Sequence, residues 1–153
     1  MIYKIIKITY LSLLSLIFII SCTNESEPVD CAITVSSNSI TYVNDKKFTG
    51  QCYVYAANGQ IVRLSSYKKG KPSGVYKAWY YPSGILAYEG NRKNGEIHGD
   101  YIGYREDGTK QAEGKFKKGF YNGAWKYYDN YEKLILEKRF INGKAVDSTI
   151  ITK

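Results

Sequence analysis

A repeat of about 24 residues constrains this chain more than any other feature of its sequence. Four glycines lie 24, 25 and 24 residues apart: Gly50, Gly74, Gly99 and Gly123. Two further sets keep nearly the same period: Gly70, Gly95, Gly119 and Gly143, and Glu89, Glu113 and Glu137. Three independent markers with one period indicate a repeat architecture, in which each unit packs against its neighbours.

Each unit is predicted to be a β-hairpin. Asn58-Gly59 and Asp107-Gly108 supply the positive φ angles that a two-residue hairpin turn demands. In the fourth unit Asn130-Tyr131-Glu132 stands where a turn glycine is expected, so either this turn is longer or Asn130 is its left-handed residue. The return strands alternate between an apolar face and a face that carries the Glu and basic residues, as is typical of antiparallel sheets. The predicted fold is all-β, an elongated antiparallel β-meander of about four stacked hairpin repeats over residues 46–144.

Composition agrees with strands and tight turns and narrows the possible chemistry. The 153 residues include 16 Tyr and 14 Gly but only 3 Pro, and they are 44% apolar and 24% charged. These values exclude a mostly disordered chain and a multi-span membrane protein. One His and three Cys cannot build a multi-His metal site, and the glycines occupy turn positions rather than a phosphate-binding loop. We therefore expect no enzyme, no cofactor and no metal.

The first 22 residues have the order of a secretion signal. Two lysines, Lys4 and Lys7, precede an apolar run that is too short to span a bilayer and ends in Ile19-Ile20-Ser21-Cys22. This ending resembles the lipobox of bacterial lipoproteins, which implies cleavage after residue 21, lipidation of Cys22 and anchoring to the membrane. The alternative is an uncleaved N-terminal helix with an incidental cysteine.

The segment after Cys22 is predicted to be an acidic tether. Residues 22–45, which include the start of the first strand, contain four acidic and no basic side chains, whereas residues 46–144 contain 19 basic and 9 acidic ones. Such a tether is similar to surface-export signals of Bacteroidetes-type lipoproteins, although any solvated linker would look the same. The resemblance implies an outer-membrane protein, on its periplasmic or its cell-surface side, that does not meet nucleic acid. Residues 145–153 are expected to form a C-terminal tail.

The repeats resemble a known family. Each has Asn/Lys-Gly-x-x-x-Gly, an aromatic residue two positions on, another three further, then Asn/Asp/Ser-Gly and a return strand with Glu. This pattern is similar to the MORN-repeat variant of YwqK-like proteins and covers residues 46–144. The resemblance implies stacked hairpins, and the usual description of that family implies an antitoxin or immunity protein that neutralises a toxin by direct binding.

The periodic aromatic residues are the candidate binding residues. They fall in two registers, of which the first is Tyr76, Tyr101 and Trp125 and the second includes Trp79, Tyr104 and Tyr128. One interpretation is a structural ladder of cross-strand ring contacts. The other is an exposed aromatic and basic stripe that binds sugar rings, peptides or lipid head groups.

The remaining candidate residues have structural explanations. Cys31 and Cys52 are expected to form a disulfide that pins the preceding segment onto the first edge of the array; two free thiols are the alternative. The recurring Glu89, Glu113 and Glu137 are predicted to form surface ion pairs rather than a catalytic pair. His98 is expected to be a solvated residue of an inter-unit turn.

Two functional hypotheses follow from these features. The first is a membrane-anchored lipoprotein whose basic, Tyr-rich repeat array is a scaffold for binding a protein or a glycan. The second is the antitoxin or immunity protein that the family resemblance implies. The sequence does not specify the ligand or the oligomeric state.

Overall fold

The computed structural model describes residues 28–151, of which about two thirds lie in β-strands and none in an α-helix. The predicted signal peptide and Cys22 lie outside the described residues. In chain order the elements are β1 (Val29–Asp30), a 3₁₀ turn (Cys31–Ile33), β2 (Val35–Ser37), β3 (Ile40–Val43), β4 (Lys46–Lys47), β5 (Gly50–Tyr55), β6 (Ile61–Lys68), β7 (Lys71–Trp79), β8 (Leu86–Lys93), β9 (Glu96–Tyr104), β10 (Lys110–Lys117), β11 (Phe120–Tyr128), β12 (Leu134–Ile141) and β13 (Lys144–Ile150).

Ten of these strands form one open sheet. Its order is β1-β5-β6-β7-β8-β9-β10-β11-β12-β13, so from β5 onward each strand pairs with the next strand in the chain. All of these pairs are antiparallel, and only the short β1 joins in parallel. The predicted all-β antiparallel meander is confirmed. Among residues 28–151 there is no helix with the length and apolar character that a membrane crossing needs.

The two ends of each hairpin use different turns, and the sequence prediction of turn type was wrong. The two-residue turns with both φ angles positive connect one unit to the next: Lys69-Gly70, Asn94-Gly95, Lys118-Gly119 and Asn142-Gly143. The turns inside the units are longer, and in Asn58-Gly59 and Asp107-Gly108 only the glycine has a positive φ. There Asn58 and Asp107 instead accept a hydrogen bond from the backbone N–H two residues later.

The turn in the fourth unit corrects a second prediction. Its left-handed residue is Glu132, with φ 56°, and not Asn130. Asp129 Oδ1 accepts hydrogen bonds from the backbone N–H groups of Tyr131 and Lys133, both at 2.9 Å. These bonds hold the turn in the shape that a glycine produces in the other units, at the cost of a strained Glu132.

Each inter-unit turn is hydrogen-bonded to the unit before it. The N–H of its glycine donates to a carbonyl oxygen near the start of the preceding unit, 2.7–2.9 Å away: Gly70 to Phe48, Gly95 to Pro72, Gly119 to Ile97 and Gly143 to Tyr121. We call these the reach-back hydrogen bonds. They explain why this glycine recurs with the period of the repeat, because the turn must bring a backbone N–H close to the neighbouring unit.

The first edge of the sheet is covered by the segment that precedes the repeats. Cys31 and Cys52 form a disulfide, as predicted, and β1 pairs with β5 beside it. Closing this loop of 22 residues is worth about 3 kcal/mol in the chain-entropy model. A separate three-stranded sheet, β2-β3-β4, lies against the first inter-unit turn, where Thr41 N–H donates to Gly70 O at 2.8 Å.

The opposite edge is formed by β13. This strand lies in the segment that was expected to be a tail, and it pairs with β12 from Ile141↔Lys144 to Leu136↔Ile150. All seven of its residues are exposed. The sheet therefore extends one strand beyond the four predicted hairpins.

The inter-unit turns generate a stability prediction. Lys118 has φ 51°, whereas two of the four turns have Asn at this position, which tolerates the left-handed region better than Lys does. We expect Lys118→Asn to raise the free energy of unfolding by about 0.5 kcal/mol. The adjacent Lys117, in β10, is the control, because Lys117→Asn places Asn in a strand and should not stabilise. Equal effects in urea unfolding would contradict the role given to the turn.

Candidate binding surface

The register of the strands gives the sheet two unlike faces. Tyr76 pairs with Gly90, Gly90 with Tyr101, and Tyr101 with Gly114 across four neighbouring strands. The row one position along contains Lys77, Glu89, Ile102 and Glu113. Because successive residues of a strand point to opposite sides, the first row belongs to what we call the aromatic face and the second to the carboxylate face.

The aromatic face is a continuous cluster of rings. The centroids of Tyr76 and Tyr88 are 5.8 Å apart, those of Tyr88 and Tyr101 6.1 Å, and those of Tyr101 and Trp125 5.7 Å. Such pairs contribute about 0.5–1.5 kcal/mol each beyond the area that they bury. The ladder interpretation therefore describes Tyr76, Tyr101 and Trp125, of which Tyr76 and Trp125 are only 6% and 2% exposed.

Glycines on the neighbouring strands make room for these rings. A Cβ atom at Gly90 would lie 3.0 Å from the ring of Tyr76, and one at Gly114 would overlap the indole of Trp125. The indole N–H donates to Lys115 O at 3.0 Å, which fixes the ring over Gly114. The Glu-Gly pairs of the return strands thus serve both faces, since the glycine receives a ring and the Glu points the other way.

The carboxylate face repeats a contact between Tyr, Glu and Lys. Tyr128 Oη donates to Glu113 Oε1 at 2.5 Å, and Lys110 Nζ lies 2.9 Å from the other carboxylate oxygen. One unit earlier Tyr104 Oη donates to Glu89 Oε1 at 3.3 Å. Glu89 in turn is 2.7 Å from Lys77 Nζ. The predicted ion pairs of Glu89 and Glu113 are present, and Glu137 stands opposite Lys126 in the register.

These contacts change the acidity of the groups involved. Hydrogen bonds from Tyr128 and Lys110 lower the pKa of Glu113. Burial and the hydrogen bond to Glu113 raise the pKa of Tyr128 to about 12. Burial and Glu89 raise the pKa of Tyr104 in the same way. At neutral pH the phenols of Tyr104 and Tyr128 are therefore protonated and Glu113 is ionised, so the network is a structural clamp between units.

A further clamp joins the hairpin turns on the side away from the reach-back hydrogen bonds. The guanidinium of Arg105 donates to the carbonyl oxygens of Tyr128 and Asp129 in the next unit. One unit earlier Tyr80 Oη donates to Tyr104 O at 2.8 Å. Both ends of consecutive units are therefore joined by hydrogen bonds in addition to the strand ladder.

The structure does not bring the six predicted stripe residues together. Tyr76, Tyr101 and Trp125 lie on the aromatic face, whereas the second register, Trp79, Tyr104 and Tyr128, is on the carboxylate face. Within residues 28–151 no ring contact joins the members of this second register. The interpretation as a single aromatic stripe is therefore wrong.

One position on the carboxylate face departs from the repeat. Leu64 occupies the place of Glu89, Glu113 and Glu137, and it lies in the row between Tyr53 and Lys77. In the next unit Tyr104 contacts Glu89. The residue that corresponds to Tyr104 one unit earlier is Trp79, which stands beside Leu64. The contact between Tyr and Glu is therefore replaced here by an apolar pair. The sequence contains this signal as a leucine that breaks the Glu period.

This departure opens a groove of about 590 Å³ between the first two units. We call it the Trp79 groove. Its lining comprises Tyr53, Tyr55, Gly59, Gln60, Ile61, Leu64, Lys77, Trp79 and Gly84. Tyr55 is 43% exposed, and its ring centroid is 6.2 Å from that of Tyr53. Three aromatic side chains thus border one accessible depression.

The remaining predicted residues have structural positions. His98 lies in β9 rather than in a turn, and its Nδ1 accepts the N–H of Lys118 at 3.4 Å. In the described part of the chain no group of three or more His, Cys, Asp or Glu side chains is placed to hold a metal ion.

No protein-family model and no curated protein matches this chain.

The aromatic face generates a prediction about two glycines. Gly114→Ala would drive a methyl group into the indole of Trp125, whereas the Cβ of Gly103→Ala would lie 3.4 Å from the ring of Tyr101, at ordinary contact distance. We expect Gly114→Ala to lower the free energy of unfolding by about 2 kcal/mol more than Gly103→Ala does. Thermal unfolding of both variants and a Trp fluorescence spectrum measure the effect. Similar losses would show that the indole moves freely off Gly114.

The carboxylate face generates a prediction about pH. Because the pKa of Glu113 is lowered by folding, this group stabilises the fold above its unfolded pKa of about 4.3, and the contribution disappears as the pH falls through the folded value. As the pH falls from about 5 to 3, we expect Glu113→Gln to lose about 1 kcal/mol less unfolding free energy than the wild type loses. Glu106→Gln, at an exposed turn residue, is the control and should follow the wild type. Identical pH profiles for all three proteins would contradict the contact.

Proposed function

We propose that this chain is an exported lipoprotein, anchored to a membrane through Cys22, whose repeat array is a scaffold for binding a protein or a glycan. One observation carries the binding role: a ten-strand sheet with no second layer of the described chain across its faces, and with shallow grooves between successive units. A sheet of this kind presents the same framework many times, and each unit can vary its side chains without altering the fold.

The anchor is supported by the sequence and by the position of the first edge. The lipobox-like Ile19-Ile20-Ser21-Cys22 precedes the array, and the disulfide fits export to an oxidising compartment. Val29 is the first paired residue, opposite Cys52, so six residues (23–28) lie between Cys22 and the first edge and the connection spans at most about 25 Å. An anchored array would therefore start close to the membrane surface.

The anchor is tested by comparing cells that express the wild type or Cys22→Ser. We expect the wild type to incorporate a labelled fatty acid and to fractionate with the membrane, and Cys22→Ser to do neither. Cys31→Ser is the matched control, because it removes a cysteine but leaves the lipobox-like sequence intact. If the wild type and Cys22→Ser were both unlabelled and cytosolic, the result would contradict the anchor and favour the antitoxin alternative.

The binding role is tested by deleting one unit. Removing one 24-residue unit, from residue 99 to 122, keeps the register of the remaining strands and both edges of the sheet. A distributed binding surface should then bind its partner more weakly but not lose it. Complete loss from deletion of a unit that is remote from the bound partner would contradict a modular scaffold.

A further inference from the structure

We propose that the Trp79 groove is a saccharide-binding site that takes an uncharged sugar ring. This inference rests on the proposed binding role and names the class of ligand and its place. It begins from the one site on the carboxylate face where the repeat is broken in favour of apolar and aromatic side chains.

The contrast with the later units shows what has changed. There Tyr104 and Tyr128 turn their hydroxyl groups onto Glu89 and Glu113, and the grooves beside these carboxylates are smaller, at about 240 and 360 Å³. In the first unit Leu64 offers no acceptor, and Trp79 has no hydroxyl group. The same framework therefore leaves a depression of about 590 Å³.

The lining suits a molecule that has both apolar and polar surfaces. Tyr53, Tyr55 and Trp79 provide ring faces, on which the C–H face of a sugar ring stacks. Gln60 adds a side-chain amide, which both donates and accepts hydrogen bonds, as sugar hydroxyl groups require. Lys77 adds an ammonium donor at the same rim.

The charges around the groove favour a neutral ligand. Lys77 is the one charged residue among the lining side chains of the described chain, and its Nζ is compensated by Glu89 at 2.7 Å. On the other side Asp30 stands opposite Tyr53 in the register, and its carboxylate accepts the backbone N–H of Ala32 at 2.8 Å. The groove thus has no uncompensated charge with which to attract an anionic or a cationic ligand.

The test uses the full chain as it is recovered from cells. The probes are three neutral tetrasaccharides of different linkage (maltotetraose, cellotetraose and the tetramer of N-acetylglucosamine), one acidic tetrasaccharide (tetragalacturonate) and one rigid peptide (decaproline). Binding is followed by calorimetry and by intrinsic fluorescence. Because Trp125 is 2% exposed in the aromatic face, a ligand-induced change would report Trp79, the only other tryptophan.

We expect at least one neutral tetrasaccharide to bind, with a dissociation constant that changes little between about 0.05 and 0.5 M salt, because no ion pair forms. Trp79→Ala should weaken this binding about tenfold or more. Tyr131→Ala is the matched control, since it removes an aromatic ring that is 92% exposed and remote from the groove, and it should bind as the wild type does.

A second variant covers the case in which Trp79→Ala disturbs the fold. Leu64→Glu combined with Trp79→Tyr rebuilds the pair that the next two units contain, so it should fold, as circular dichroism would report, and should lose the saccharide. Retained binding in this double variant would overturn the proposed site.

The other outcomes are equally decisive. Binding of tetragalacturonate or decaproline alone, or of none of the five probes, would overturn the saccharide inference. It would leave the anchored scaffold to be judged by the fate of Cys22 and by the unit deletion, which do not depend on the groove.

Discussion

Pairing between consecutive hairpins is the interaction on which the whole molecule depends. A single-layer sheet cannot bury its side chains against a second layer, so stability must come from strand ladders and from contacts within each face. The reach-back hydrogen bonds at one end of the units and the Arg105 and Tyr80 contacts at the other add to the ladders. Cys52 and Leu64 are buried in the first unit and Trp125 in the fourth, so the buried side chains do not form one common core.

The two faces hold neighbouring units together by different kinds of contact. On the aromatic face the rings lie over glycines, and their packing depends on the absence of a side chain at Gly90 and Gly114. On the carboxylate face the same strands use hydrogen bonds and ion pairs, which tolerate substitution because they are partly solvated. Specific binding is therefore easier to build on the carboxylate face, where a change such as Leu64 for Glu opens space without removing a ring from the cluster.

The sequence predicts the framework well because the period reports contacts that recur in every unit. It predicts single departures less well. Glu132 occupies a left-handed position because Asp129 hydrogen-bonds the surrounding turn, whereas residue propensity offered only Asn130 or a longer turn. Tyr76 and Trp79 lie three positions apart in β7, so the alternation of side chains along this strand already places them on opposite faces, which the interpretation as a single stripe overlooked. The last strand, β13, follows the final turn glycine and has no later marker, so only its pairing with β12 reveals it.

The two edges of the sheet differ, and neither depends on how many units lie between them. The first edge is covered and cross-linked through Cys52, whereas β13 has an exposed outer side. Duplicating one unit between Gly74 and Gly123 would insert two strands and move β13 outward by about 10 Å, leaving the disulfide untouched. The number of repeats thus sets the distance between the open edge of the sheet and the tethered edge.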